Sequence, residues 1–311
     1  MSFTNIISRS DVGPLIPEET SNILLEGLTA QSAALSLFRT IPMSSQQVRM
    51  PVLSALPTAY WVTGDTGLKQ TTEMSWENKY MNVEELAAIV PIPENVANDL
   101  QFDVWDQVQP LLIDAIIRAL DAAIFLGTNK PNSWPDAIVP GAIAAGHAVD
   151  RPANAEDMPD KLSDLFSLVE DDGYAVDFAL ANPSYRGRLR KTGLTQQLNP
   201  NAGLNVGPNE IFGITPMFPM PGLWPTASDS AEVIVGSRRE AIVGIRQDFS
   251  WKLLTEAVIQ DNTGAIIFNL PQQDMVALRV VFRAAFQVAN TIKYENTNPA
   301  TRYPFAVMQV P

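Results

Sequence analysis

The feature that most constrains this chain is an apolar stripe through residues 103–126. Val104, Trp105, Val108, Leu111, Leu112, Ala115, Ile116, Ala119, Ala123 and Leu126 recur at three- and four-residue steps, the spacing of one helical face. Gly127 follows and supplies a C-terminal stop. A helix over 103–126, at a rise of ~1.5 Å per residue, spans about 36 Å. That is long for a globular domain and suits a structural spine. Pro110 sits inside it, which predicts a bend or a break. Asp114 and Arg118 lie one turn apart and can pair on the other face, a contact of a few tenths of a kcal/mol.

Around this spine the chain offers extended pieces. In 275–289, Val276, Leu278, Val280, Phe282, Ala284, Phe286 and Val288 alternate with Ala277, Arg279, Val281, Arg283, Ala285, Gln287 and Ala289. Arg279, Arg283 and Gln287 are also four apart, which leaves a helix open, but the period of two with β-branched and aromatic residues favours a long strand. Residues 51–90 read as a long hairpin. Pro51-Val52-Leu53 and Ala59-Tyr60-Trp61-Val62 are strand-like, Gly64-Asp65-Thr66-Gly67 is a loop tip, and 76–80 and 83–90 return. A two-stranded hairpin alone is marginal in water, so this one needs a partner surface. Residues 1–50 read as an arm carrying two short apolar runs, 23–28 and 33–38. Neither run is long enough to be a stable helix alone. Each packs either on its own domain or on a neighbouring subunit, and the sequence leaves both open.

Residues 128–150 are rich in Pro, Gly and Ala and read as a loop. A short amphipathic helix at 159–172, with Leu162, Leu165, Phe166 and Val169 on its buried face, precedes a strand at 174–181. Asn182-Pro183-Ser184 opens a further helix that Gly193 closes. This alternation implies an α/β lobe. The stretch 199–229 is proline-rich loop, and 232–235 and 240–245 read as strands.

Composition narrows the function classes. The net charge is −13, and sequence-independent phosphate binding needs Lys and Arg. The chain is therefore a poor general nucleic-acid binder, although it can enclose nucleic acid without gripping it. Anionic membrane surfaces are disfavoured on the same ground. Charged residues are 18% of the chain, below the usual ~25%, which suits a protein that hides surface against neighbours. With no cysteine, disulfides, thiolate catalysis and Cys-ligated metals are excluded. No apolar run reaches the ~18–20 residues of a membrane-spanning helix.

Positive signals for catalysis are missing. His147 is the only histidine, so any Ser-His-Asp triad must use it. It lies in Ala144-Ala145-Gly146-His147-Ala148 with no nucleophile elbow beside it, and reads as an ordinary loop residue. Glu170-Asp171-Asp172 is the densest acidic cluster and reads as a solvated helix end. Asp261-Asn262-Thr263-Gly264 lacks the alternating ligands and closing Glu of a calcium loop and reads as a β-turn. No GxGxxG or Walker pattern occurs. Arg186, Arg188, Arg190 and Lys191 form a basic cluster, read as an inter-subunit salt bridge or a solvated face. No catalytic, cofactor-binding or metal-binding residue is assigned.

The order of several short phrases resembles the major capsid protein family of tailed bacteriophages, whose fold is named after bacteriophage Hong Kong 97 and is shared with encapsulins. Leu15-Ile16-Pro17 with Glu18 and Glu19, then 23–28 and Ser36-Leu37, is similar to the family's N-arm. Ile41-Pro42-Met43 and Val48-Arg49-Met50-Pro51-Val52 resemble the approach to its extended loop, and Ala59-Tyr60-Trp61-Val62-Thr63-Gly64 the loop itself. Leu86-Ala87-Ala88-Ile89-Val90-Pro91-Ile92-Pro93, then Asn98-Asp99, resembles the passage into the spine helix, and Ala122-Ala123-Ile124-Phe125-Leu126-Gly127 its end. Leu180-Ala181-Asn182-Pro183 with Leu189-Arg190-Lys191 is similar to the axial domain. Val276-Ala277-Leu278-Arg279, Arg283 and Phe286-Gln287-Val288 resemble the long peripheral strand. The likeness covers nearly the whole chain. One departure is Gly213-Ile214-Thr215-Pro216, one residue longer than the family's Gly-x-Pro turn.

The resemblance implies an α+β fold of the Hong Kong 97 type. Its parts would be an N-arm (1–50), an extended β-hairpin loop (51–88), a peripheral domain (89–135 and 268–311) and an axial α/β domain (136–267). It implies a shell protein and not an enzyme, assembling with itself through pentamers and hexamers into an icosahedral virion shell in the host cytoplasm. Portal and scaffold proteins, and in some cases a decoration protein, would be its partners, and DNA would be enclosed without sequence-specific contact. Candidate inter-subunit residues are Arg49, Trp61, Gly64, Asp65, Lys69, Arg279 and Arg283. Because the arm starts close to Met1, no large cleaved segment is expected. Lys69 could serve the Lys–Asn isopeptide crosslink that some members form, but no Asn partner is assignable and no crosslink is expected. An encapsulin-type compartment is the alternative within the fold. A hydrolase using His147 is the alternative outside it.

Overall fold

The computed structural model describes residues 32–59, 61, 69, 71–99, 104–154, 157–191, 210–219, 231–261 and 263–310. The run at 23–28, the loop-tip residues Gly64 and Asp65, Gly193 and most of 199–229 lie outside them. In chain order the elements are α1 (Ala33–Leu37), β1 (Arg39–Pro42), β2 (Gln47–Ala55), β3 (Ser75–Asn82), β4 (Glu84–Pro93), α2 (Glu94–Asp99) and α3 (Val104–Asp121). A π-helical turn (Ala122–Leu126), α4 (Ile138–Ala145), β5 (Ala148–Asp150), α5 (Met158–Asp171), β6 (Phe178–Ala181) and β7 (Ala231–Gly236) follow. The last are β8 (Ala241–Leu254), β9 (Val258–Gln260), β10 (Ile266–Asn269), β11 (Met275–Val288) and β12 (Phe305–Gln309). The described chain falls into two units. One contains Glu85–Ile117 and Gln247–Ala284; the other contains Gln31–Glu84, Arg118–Arg246 and Ala285–Pro311.

The expected spine is present and differs in detail. Helix α3 runs through Pro110 without the expected break; the proline costs one backbone hydrogen bond and the rest of the ladder carries the turn. Gly127 takes φ 76°, the left-handed stop, and its N–H returns to Ala122 O. Leu112, Ile116 and Leu120 are buried, whereas Leu111 is 62% exposed and Ala115 and Ala119 are also exposed. The apolar arc written in the sequence is wider than the face that gets covered. Asp114, expected on the solvent side, is buried.

Strand β11 is as expected, but Met275, Ala277, Val281 and Ala285 are buried as well as Leu278, Val280, Phe282 and Phe286, so both its faces are covered. It lies between β8 and β4 in a sheet of order β1-β8-β11-β4. In the first unit, Phe249 of β8 stacks on Phe282 at 4.9 Å. There too Phe268, Leu270, Met275 and Ala277 form a small core under the β9–β10 hairpin. The turn of that hairpin is the Asp261 segment, as expected. Asp261 Oδ1 accepts from Thr263 N, Thr263 Oγ1 and Ala265 N at 2.7–2.9 Å.

The second unit is built on a mixed sheet of order β5-β12-β7-β6. Strand β12 runs parallel to β5 and antiparallel to β7. Met158, Leu162, Leu165, Phe166 and Val169 of α5 join Val233, Val235, Ala306 and Met308 in its core. The stretch 128–150, read as loop, contains α4 and β5; runs of Ala and Ile carry the helix, and Gly146 at φ 85° ends it. The strand read at 174–181 is shorter, β6 alone.

The second arm run packs on its own unit, which settles one of the two open readings. Phe38 enters an aromatic cluster with Phe125, Phe178 and Phe305 at centroid distances of 5.5–6.0 Å. Five-residue α1 cannot stand alone, and its four leading N–H groups all find acceptors. Asp121 Oδ2 accepts from Ala33 N at 2.7 Å and Oδ1 from Ala34 N at 3.2 Å. Ser32 Oγ accepts from Leu35 N and itself donates to Asp121 Oδ1, while Ser36 N donates to Ser32 O. A carboxylate at the end of the spine thus serves as the remote cap of the arm helix.

Burial raises the Asp121 pKa above its ordinary 3.8, against the lowering effect of the hydrogen bonds from Ser32, Ala33 and Ala34. The unfolded chain therefore gives up this proton at lower pH than the folded chain. The contribution of Asp121 to stability grows as pH falls through the raised folded value and levels off below 3.8. Asp121→Ala strips two buried N–H groups of their acceptor, so it is expected to cost on the order of 2 kcal/mol at neutral pH. That deficit should widen on acidification towards about pH 4, read as the difference in thermal midpoints between variant and native subunit.

Candidate inter-subunit surfaces

A hairpin forms with other strands than expected: β2 and β3 alone make it, Ala59 and Trp61 lie outside any strand, and the stretch expected to return at 83–90 is β4, which joins the sheet with β11 instead. Strands β2 and β3 pair antiparallel with Val48 opposite Met81, Arg49 opposite Tyr80, Met50 opposite Lys79, Val52 opposite Glu77 and Leu53 opposite Trp76. Successive residues of a strand face opposite sides, so the register sorts the hairpin into two faces. Val48, Met50, Val52, Lys79 and Met81 turn inward and are buried or half-buried. The outward face carries Arg49, Pro51, Leu53, Trp76, Asn78 and Tyr80, with Trp76 61% and Tyr80 46% exposed. Beyond the paired region, Trp61 is 99% and Met74 53% exposed, and Lys69 is exposed.

The root of the hairpin is held firmly. Lys79 Nζ donates to Val288 O at 3.1 Å, and Gln287 Nε2 to Tyr80 O at 2.8 Å. Two residues along β3, Trp134 Nε1 donates to Asn82 O at 3.0 Å. Burial is the main influence on the Lys79 ammonium and lowers its pKa, with Glu77 opposing and Arg302 adding to the effect.

In the other unit, Arg279 and Arg283 share one face of β11, and both are partly exposed. Arg283 Nε lies 3.7 Å from Glu85 Oε2. The Nε atoms of both arginines are buried without a hydrogen bond, while their stems cover strand atoms.

His147 is not the ordinary loop residue expected, and Asp172 is not solvated. Both are buried. His147 Nε2 lies 3.2 Å from Asp172 Oδ2, and Nδ1 lies 3.2 Å from Phe305 O. Asp172 also accepts from Asn296 Nδ2 at 2.6 Å and Tyr303 N at 2.8 Å. With both ring nitrogens engaged by the fold, His147 has none left to take a proton from a nucleophile, which removes the geometry a triad needs. The basic cluster is likewise used internally. Arg186 lies 4.2 Å over the Phe218 ring, and Arg188 Nε is 3.9 Å from Glu232 Oε2, while Arg151 Nη1 donates to Glu232 Oε1 at 2.6 Å.

Comparison with known proteins now bears on these surfaces. The phage capsid family matches residues 12–293. The chain belongs to the phage capsid family. Its role is that of a major capsid protein, a structural protein of the virion, on the α+β Hong Kong 97-type fold. The major capsid protein of Staphylococcus phage 80alpha is 24% identical over 93% of this chain and 86% of its own. A solved structure from Microbacterium phage Oxtober96 superposes with a TM-score of 0.80 at 39% identity, covering 98% of this chain and 99% of that one. One from Mycobacterium phage Bobi gives 0.78 at 30% identity over the same shares.

For a capsid protein the hairpin face is the notable surface, and sequence reading found only part of it. Of the expected contact residues, Arg49 lies in β2 and not in the arm, while Trp61 and Lys69 lie beyond the paired strands and are exposed. Leu53, Trp76 and Tyr80 went unnamed because their common face depends on the pairing register. The β12 strand and the Asp172 network were also missed; the apolar run at 305–309 was the available signal for the first. Asp172→Ala in this capsid protein leaves His147 and the Tyr303 N–H buried without their acceptor. It is expected to cost on the order of 2–3 kcal/mol, measured as a fall of several degrees in the subunit's thermal midpoint.

Proposed function

We propose that copies of this chain assemble through pentamers and hexamers into an icosahedral shell that encloses phage double-stranded DNA, in the host cytoplasm. The observation that carries this reading is the β2–β3 hairpin. It is a two-stranded element whose outward face leaves Trp76 and Tyr80 exposed in the subunit, with Leu53 half-buried beside them, and such an element gains most from a partner surface. A neighbouring copy supplies that surface many times over in a closed symmetric shell. Arg49, Trp61, Gly64, Asp65 and Lys69 then make contacts between subunits from the hairpin, and Arg279 and Arg283 from β11. A capsid chain of a native GTA particle computed with C5 symmetry shares the fold, with a TM-score of 0.64, which fits five-fold rings on this architecture.

Portal and scaffold proteins, and a decoration protein where one is used, are the further partners of this reading. The net charge of −13 favours enclosure of DNA without tight binding, since phosphate contacts require cations.

Electron microscopy and sedimentation of the protein expressed alone test the proposal. Closed shells, or rings of five and six, are expected. Trp76→Ala should leave the thermal midpoint of the subunit within a degree or two, because the side chain is solvated there. It should raise the concentration needed for assembly by roughly tenfold or more, as loss of an aromatic anchor does at an interface. A native chain that stays monomeric at every concentration and salt, with scaffold supplied, sinks the reading.

A further inference from the structure

We propose that the irregular segment 289–304, together with Gln287 and Val288 at the end of β11, is a built-in seat that sets the direction of the β2–β3 hairpin within the isolated subunit, the two β11 residues gripping its root and Tyr294 its distal part. The segment joins β11 to β12 with no regular structure of its own. A stretch of that length without helix or strand is uncommon in a folded domain and is usually functional.

It is nevertheless held tightly. Arg302, buried, donates from Nε to Asn290 Oδ1, from Nη2 to Asn290 O and from Nη1 to Asn296 O, each at 3.2 Å. Asn290 Nδ2 returns a bond to Arg302 O at 2.9 Å, and its backbone adopts φ 46°. Glu240, also buried, takes Thr291 N at 3.0 Å and Thr291 Oγ1 at 2.9 Å. The Tyr174 hydroxyl lies 2.5 Å from Thr291 O, and Lys293 Nζ sits 5.2 Å over the Tyr174 ring. Asp172 fixes the far end through Asn296 and Tyr303. More groups are satisfied than fixing a loop's two ends requires.

This platform touches the hairpin at two levels. At the root, the residues just before it hold β3 through Gln287–Tyr80 and Lys79–Val288. Farther out, Tyr294, itself 67% exposed, donates from its hydroxyl to Pro57 O at 3.0 Å. Pro57 lies beyond the last paired residue of β2. A large aromatic held in solvent on a rigid loop, with its one polar group on a hairpin carbonyl, has a positioning geometry. Two grips at different distances along a lever define its angle, whereas a root alone leaves it free to swing. Fixing the angle before a neighbour is met lowers the ordering cost of docking. That consequence for assembly rests on the shell reading; the positioning itself does not.

Hydrogen exchange on the unassembled full-length subunit tests it. Tyr294→Phe removes one hydroxyl from an exposed position and keeps the ring. It is expected to speed exchange at the distal hairpin amides, Leu53 and Trp76 among them, by roughly two- to tenfold, the worth of one hydrogen bond. Lys79→Met, which keeps the aliphatic stem, should act similarly on the root. Amides of β7 report global stability and should be unchanged in both. Unchanged hairpin exchange in both variants overturns the proposal, and so does a rise shared equally by β7. If the native chain forms no shells while the hairpin responds as described, the shell reading fails and the seat stands.

Discussion

A carboxylate withdrawn from water must find donors, and an irregular backbone withdrawn from water must find acceptors. Much of the second unit depends on matching these two needs. Asp121 closes the leading turn of α1, Glu240 holds the start of the segment after β11, and Asp172 holds its end together with His147. All three acids are buried. Each joins parts of the chain far apart in sequence, so none of the segments they hold could keep its conformation as a peptide. The aromatic cluster around Phe38 adds apolar burial to the same joints.

The first unit depends on a different constraint. β11 is covered on both faces, and its two arginines reach the surface at its partly exposed positions. Most of its apolar residues are therefore committed within the subunit, and Arg279 and Arg283 are among its partly exposed positions. The hairpin inverts this arrangement. Its inward face is committed at the root, and its outward face carries large side chains into solvent. A subunit made this way keeps a stable body and a hairpin anchored at its root, with the outward aromatic face left exposed.

Several elements were legible because one local rule decided them. Residues 275–289 read as a strand, because period-two alternation with Val and Phe outweighs the helix that the four-residue spacing of Arg279, Arg283 and Gln287 also allows. Gly127 could only be a stop, and Asp261 did form the turn that its spacing with Thr263 and Gly264 implies. The failures have equally particular causes. Glu170-Asp171-Asp172 looked like one solvated run, yet a helix end turns successive residues in different directions, and Asp172 turned inward. His147 looked idle because its partners, Asp172 just past α5 and Phe305 of β12, are distant in sequence. Pro110 does not break α3, because one missing hydrogen bond leaves the rest of the ladder in place.

By itself, the sequence determined the spine, the long strand, the hairpin and, through the order of its short phrases, the capsid family. Those properties follow from spacing along the chain, where side-chain periodicity acts directly. Only the tertiary structure decided which arc of α3 is covered, which face of the hairpin looks outward, and which acids leave water. Each of those outcomes depends on what a distant segment brings to the contact, and burial is a property of the pair and not of either residue alone.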